Sequence, residues 1–342
     1  MSRSRFRPAL AAALGILTAV LAAAPARAED TRIHFTLDWR FDGPSAIFLL
    51  SKGKGYFTKE HLDVSIDSGS GSVSAIQRVS SGTHEFGIAD MSALVEYVAN
   101  NPGVPPIQGV YMVLENLPAT VFSLKAKKIA TPEDLVGKTM AGPAFDAGRK
   151  AFPIFAKANR IDFAKVTWLT VDPALRENML IKGEVDAITG FYYTSMLNFQ
   201  ARGVKESELS LMRYSDYGVQ LYSQMIVASK KYIAENPAIV QAFLRAFNQG
   251  LKDAAANPAE AITFLKAQDS LIDATIEEKR LRYYLENVIT PDTKAHGLGD
   301  VSKPRMRANI VQVASAFKLK TWPDADEIFT NAFLPEPKDR KL

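Results

Sequence analysis

The chain has 342 residues, 47% of them hydrophobic, 23% charged and 10% aromatic, with no cysteine. The apolar share excludes a disordered chain. The missing cysteine excludes a disulfide scaffold, a zinc ribbon, an iron–sulfur site, a thiol nucleophile and a lipidated bacterial anchor. The formal charge of +4 comes wholly from Arg3, Arg5, Arg7 and Arg27, so the rest of the chain is balanced and offers no basic field to nucleic acid.

Those arginines precede and flank the apolar run 9–24, which ends in Ala26-Arg27-Ala28. A positive region, an apolar run and an A-x-A site read as a secretory signal (1–28) cleaved after Ala28. The run is shorter than the ~20 residues a spanning helix needs. The mature chain is therefore expected to be exported, in a Gram-negative cell to the periplasm.

Residues 32–37 alternate as a half-buried strand that ends at Asp38-Trp39. A helix follows over 44–52, with Pro44 in its first turn. His61–Asp67 reads as a strand, Ser68-Gly69-Ser70-Gly71-Ser72 as a break, and Val73–Val79 as a helix. Phe86–Ala89 and Val110–Leu114 are apolar strands around a helix that begins near Asp90-Met91-Ser92. The pattern then restarts. It gives strands at 120–124, 139–142, 166–171 and 185–189, and helices from Thr131-Pro132, over 145–159 and over 172–182. After a strand at Gln224–Ser229, Asn236-Pro237 and Asn257-Pro258 start helices. Ile239, Val240, Phe243, Leu244, Phe247 and Leu251 form a core stripe at helical spacing. The charged tail after Pro335 reads as frayed. Strands alternating with helices imply two parallel α/β units with a cleft at the strands' carboxyl ends.

Several segments in order (SKGKGYFTKEHLDV, SGSGSVSAIQRVSSG, EFGIAD, TPEDLVGKTMAGP, KGEVDAITG and DYGVQLYSQMIVASKKYIAENPAIVQAFLRAF) resemble the periplasmic substrate-binding components of ABC importers. The class in question takes sulfonates, nitrate or thiamine-pyrimidine precursors, and the resemblance runs from about 31 to about 250. It implies an α/β fold of the type II periplasmic binding protein kind, with two lobes joined by two crossover strands. Lobe one would be 30–114 plus 223–342, and lobe two 115–222. It also implies a monomeric receptor that closes on a small-molecule ligand and delivers it to an inner-membrane ABC permease with its ATPase, without nucleic acid or cofactor.

The residues at the predicted cleft suggest what that ligand is. Trp39 offers a flat face for stacking, or else packs in lobe one. Asp38 and Asp42 accept hydrogen bonds from amino groups, or else Asp42 caps the next helix. The sequence Arg40-Phe41-Asp42-Gly43 departs from the Pro-Asn ending common in the class's pyrimidine binders. Ser70, Gly71 and Ser72 at a helix start suit an anion. Asp90 caps a helix or orients the ligand. Phe145 and Arg149 follow a strand of lobe two, where Arg149 either pairs with an acidic ligand or is solvated. Phe191 or Tyr192 supplies the opposite aromatic wall, and Asp216 and Tyr217 sit before the second crossing. The expected ligand is small, planar and anionic: a sulfonate, an aromatic carboxylate or a pyrimidine.

His34, His61, His84 and His296 have no metal-ligand spacing, and no nucleophile elbow or phosphate loop is present. Two other roles compete. One is an enzyme resembling the thiamine-pyrimidine synthases of this fold, which consume a histidine and a lysine-bound pyridoxal phosphate beside a cysteine-rich iron site. The other is a periplasmic sensor partner that uses the same cleft.

Overall fold

The computed structural model describes residues 30–104 and 106–342; the export signal assigned to 1–28 lies outside them. Among the described residues no helix is long and apolar enough to cross a membrane.

Among the described residues, ten strands form two five-stranded sheets. The first orders β2 (Leu62–Asp67), β1 (Thr31–Thr36), β3 (Phe86–Asp90), β10 (Gln224–Ser229) and β4 (Ile107–Met112). The second orders β7 (Thr167–Thr170), β6 (Thr139–Gly142), β8 (Ala187–Phe191), β5 (Ala119–Leu124) and β9 (Leu209–Arg213). The chain leaves the first sheet after β4 and returns to it at β10.

The wholly parallel sheets expected from the alternation are not what forms. β1 pairs parallel with β2 and β3, but β10 runs antiparallel between β3 and β4. β5 is likewise antiparallel to β8 and β9. These are the strands next to the two crossings, and a chain passing between sheets enters against the local βαβ direction. Alternation of elements reports the layering of a fold and leaves strand direction open.

The helices that shape the cleft are α1 (Ala46–Gly53), α2 (Ser72–Ser80), α3 (Met91–Asn100), α4 (Ala147–Ala158), α5 (Arg176–Ile181), α6 (Tyr192–Ala201), α7 (Pro237–Ala256), α8 (Ala274–Val288) and α9 (Lys303–Phe317). Asp90 caps α3 through Ser92 N–H, and Asp146 caps α4 through Arg149 N–H. The helix expected at Thr131 is a single 3-10 turn, Pro132–Leu135. The one expected from 172 starts at Arg176, because Asp172 instead closes a turn with Ala174 and Leu175 N–H.

Phe243 and Phe247 of the α7 stripe stack on Phe86 (4.3 Å) and Phe48 (4.7 Å), and Phe35 stacks on Phe48 (4.4 Å). This aromatic column fixes α7 and α1 on the first sheet. The tail after Pro335 is pinned rather than frayed. The Arg340 guanidinium is buried and donates to Leu298 O (2.8 Å) and Pro335 O (3.0 Å), while Asp339 O accepts from Asn248 Nδ2 (3.0 Å).

Candidate ligand-binding cavity

A cavity lies between the two sheets, at the ends of β1 and β8. Its first-sheet side carries Asp38, Trp39, Arg40, Asp42, Phe48, Gly71, Ser72, Gln224 and Tyr284, and its second-sheet side Asp146, Arg176, Phe191, Tyr193 and Thr194. Aromatic and aliphatic side chains mixed with a few polar groups are typical of ligand sites.

Local packing explains how the first wall is held. Gly69 donates its N–H to Trp39 O (2.8 Å), and a Cβ at Gly69 would fall 2.0 Å from Leu37 O. Only glycine lets the loop 68–71 close on the exit of β1 and fix the Asp38-Trp39 pair. Asp38 Oδ2 accepts from Gln224 Nε2 (2.7 Å) and from Ser72 Oγ (3.1 Å), and Ser72 Oγ in turn accepts from Asp90 N–H (3.0 Å). Asp90 accepts from Ser92 N–H and from both the Ser92 and Ser223 hydroxyls, and is fully buried. It ties β3 to the returning crossing and stands behind the cavity wall.

This network changes the electrostatic expectation. The start of α2, read as an anion site, already faces an anion of the protein itself, Asp38. Burial pushes the Asp38 carboxyl up to about 6 against the hydrogen bonds from Gln224 and Ser72. Burial pushes Asp42 up to about 7, with Arg280 opposing and Glu277 reinforcing. Asp146 is also raised by burial, against the pull of Arg176. Of the two guanidinium groups at the cavity, Arg40 belongs to an exposed residue and Arg176 is tied to Glu177 at 2.8 Å. Three carboxyls, Asp38, Asp42 and Asp146, therefore line the cavity beside two guanidinium groups, and burial disfavours the charged form of each carboxyl.

Three buried polar atoms of lining residues lack a hydrogen-bond partner: the donors Trp39 Nε1 and Arg176 Nη1, and the acceptor Gln224 Oε1. Buried polar groups are rarely left unpaired, so these three, all on lining residues, are candidates for a ligand to satisfy.

Of the residues expected at the cleft, Asp38, Trp39, Asp42, Gly71, Ser72 and Phe191 line the cavity. Others stand elsewhere. Ser70 and Asp216 are exposed, and Tyr217 packs its ring on Phe155. The exposed Phe145 meets the first lobe through its backbone, since a Cβ on Gly71 would fall 2.3 Å from Phe145 O. Tyr192 lies under the Arg213 guanidinium (4.1 Å to the ring centre) and against Tyr283, with Phe191 taking the wall instead. Arg149 is turned away from the cavity: Nη1 donates to Gly142 O (2.7 Å) and Thr170 Oγ1 (3.0 Å), and the guanidinium covers Trp168. Strands β6 and β7 satisfy it.

Lining residues the sequence did not mark include Gln224, Arg176, Asp146, Tyr193 and Tyr284. Gln224 carried a signal, a polar residue heading an otherwise apolar strand. Arg176 carried none.

Helices α6 and α8 bridge the lobes at one side of the cavity. Arg280 of α8 donates to Tyr193 O (3.2 Å), Thr194 O (2.9 Å) and Asn198 Oδ1 (3.2 Å) of α6. On α3 and α4, Glu96 pairs with Lys150 at 3.1 Å.

Comparison with known proteins bears on this architecture. A family model described as NMT1/THI5 like matches residues 44–261. The riboflavin-binding protein RibY of Chloroflexus aurantiacus is 25% identical over 297 residues, covering 85% of this chain and 82% of the relative. The 4-amino-5-hydroxymethyl-2-methylpyrimidine phosphate synthase of Legionella pneumophila is 20% identical, covering 90% and 93%. Among solved structures, the alkanesulfonate-binding protein SsuA from Xanthomonas axonopodis pv. citri, bound to MOPS, superposes with a TM-score of 0.68 at 15% identity, covering 89% of this chain and all of that one. The two-lobed fold is that of periplasmic binding proteins.

Proposed function

The chain belongs to the NMT1/THI5-like family, and from that premise we propose that it is the exported solute receptor of an ABC importer. Lobes 30–114 plus 223–342 and 115–222 close on a small planar heteroaromatic solute rich in N–H groups, and the monomer hands that solute to an inner-membrane permease with its ATPase. The observation that carries this reading is the cavity itself. Trp39, Phe191, Tyr193 and Tyr284 offer ring faces, and Asp38, Asp42 and Gln224 offer acceptors to N–H donors. The ring walls suit a flat solute. The carboxylates favour a neutral or cationic base over the anion anticipated from the serine–glycine loop. The relatives named for riboflavin and a pyrimidine phosphate are in keeping with a flat nitrogen heterocycle.

The synthase-like alternative is less well supported. The cavity wall includes neither histidine nor lysine, so these residues do not fit a lysine-bound pyridoxal phosphate or a sacrificial histidine.

A thermal-shift panel of riboflavin, aminopyrimidines, alkanesulfonates and aromatic carboxylates, with small-angle scattering on each hit, tests the proposal. Nitrogen heterocycles are expected to raise the melting temperature and reduce the radius of gyration. Stabilisation by sulfonates alone would overturn the ligand class, and turnover of any solute would overturn the receptor reading.

Closure makes a second demand. Gly71 has φ +139°, and a Cβ there would meet Phe145 of the other lobe. Gly71→Ala is therefore expected to hold the lobes apart, with a larger radius of gyration and ligand affinity down by about tenfold or more. Scattering and titration calorimetry would show this, and wild-type values in both would mean the two lobes do not meet there on closing.

A further inference from the structure

We propose that Arg176 is a specificity-determining residue of this cavity, its Nη1 donating to a carbonyl oxygen on the ligand edge opposite the N–H groups read by the first lobe. This inference rests on the receptor reading and names the ligand more closely.

Arg176 opens α5 and reaches the cavity from the second lobe, yet it is only 1% exposed. A guanidinium so deeply buried is tolerated only when its donors are matched. Most of them are. Nη2 donates to Glu177 Oε1 (2.8 Å) and Ser195 Oγ (2.9 Å), and Nε donates to Glu177 Oε1 (3.2 Å). Ser195 Oγ also donates to Glu177 Oε1 (2.8 Å), closing the cluster. Nη1 is the exception: it lies 3.5 Å from Asp146 Oδ2 and makes no hydrogen bond. The other oxygen of Asp146 is engaged by Arg149 N–H (2.9 Å), capping α4.

The plane of the guanidinium is set before any ligand arrives. A Cβ at Gly190 would stand 3.0 Å from Arg176 Cζ and 2.2 Å from Ser195 Oγ, so the bare glycine makes room for the cluster. A donor held this way loses little entropy when it binds. Burial pushes the Glu177 carboxyl up, but the Arg176 guanidinium and the Ser195 hydroxyl outweigh it and hold it below its ordinary range. Glu177 is thus ionised, and its charge offsets that of Arg176. What remains unpaired is the Nη1 amino group beside Asp146, whose N–H donors, with the charge already offset, suit a neutral carbonyl oxygen better than a full anion.

Across the cavity, Gln224 Oε1 is an unpartnered acceptor and Asp38 a buried carboxyl. The wall on one side therefore takes hydrogen, and the wall on the other gives it. A ligand joins the lobes only if it carries N–H groups on one edge and a carbonyl on the other. Sites built on such pairing reject analogues that lack the group, because the protein atoms are then left unpaired.

Three matched probes test this by titration calorimetry on the mature protein: cytosine, 4-aminopyrimidine (no carbonyl) and 2-pyrimidinone (no amine). The wild type is expected to bind cytosine at least about tenfold tighter than 4-aminopyrimidine. Arg176→Lys keeps a positive charge beside Glu177 and removes the free arm of the fork. That variant should reduce the ratio to within about twofold, while the preference for cytosine over 2-pyrimidinone, read by Asp38 and Gln224, persists. Equal wild-type affinities, an unchanged ratio in Arg176→Lys, or no binding of any probe would each overturn the assignment. Should the variant fail to fold, the wild-type comparison alone decides. If another heterocycle compacts the protein while these probes fail, Arg176 loses its role and the receptor reading stands. If no solute compacts it, the receptor reading itself falls.

Discussion

Asp42→Asn is expected to stabilise the ligand-free protein by roughly 2–4 kcal/mol at pH 8, to leave it near wild type at pH 4, and to weaken ligand binding by about tenfold or more. Asp42 is 8% exposed, and burial raises its carboxyl from the ordinary 3.8 to about 7. At pH 4 the folded protein carries this carboxyl protonated and the unfolded chain only partly ionised, so its burial costs little. As the pH rises toward 7, the unfolded chain releases the proton while the folded protein keeps it, and stability falls with pH. Above 7 both states are ionised and the full loss is present. An asparagine does not titrate, so the two proteins diverge only as the pH rises. Thermal unfolding at pH 4, 6 and 8 measures this divergence, and a difference that does not change with pH would refute it.

The opposite signs are what separate a binding carboxylate from a structural one. A carboxylate kept only to cap the turn at Gly43–Ser45 would lose stability on removal. One that destabilises the empty protein is retained for what it does when the cavity is filled. Asp38, pushed up to about 6 in the same cavity, adds a smaller contribution of the same sign.

How much of this was legible beforehand follows from how far apart the contributing residues lie. Asp38 and Trp39 could be read because both are local to a strand end, and their place at the cavity depends only on that strand being inside a sheet. The surroundings of the serine–glycine loop could not be read because its chemistry is not local. The helix start that it opens is offset by Asp38, bonded to Ser72 across 34 positions of chain. Arg149 and Arg176 are indistinguishable as residue types. Their fates diverge because β6 and β7 offer Arg149 a carbonyl and a hydroxyl, whereas Arg176 opens α5 beside the bare Gly190. Which arginine faces the cavity is decided by register between elements, and no pattern along the chain carries that. The same holds for β10, whose apolar run announces a strand but not its antiparallel insertion between β3 and β4.

Arg280→Met should open the molecule. The side chain is 4% exposed and lies between α8 and α6, with Nε on Glu277 Oε2 (2.8 Å) and its other nitrogens on Tyr193 O, Thr194 O and Asn198 Oδ1. Glu277 Oε2 also accepts from Gly43 N–H (2.6 Å), at the turn that follows Asp42. A Cβ at Gly43 would lie 2.4 Å from Glu277 O, so the close approach of α8 to this turn depends on glycine. One guanidinium therefore links the acidic wall of the first lobe to the first turns of α6 in the second. Methionine preserves much of the apolar stem and removes every charge-assisted bond. If those bonds together favour the closed form by about 3 kcal/mol, their loss lowers affinity by about a hundredfold through the population of closed protein. The radius of gyration without ligand should rise as well. Asn198→Ala, which removes one of the bonds, should lie between the variant and the wild type in both measurements. An affinity loss with unchanged scattering would instead place Arg280 among the residues that hold the Asp42 wall in shape, with closure driven by the ligand alone.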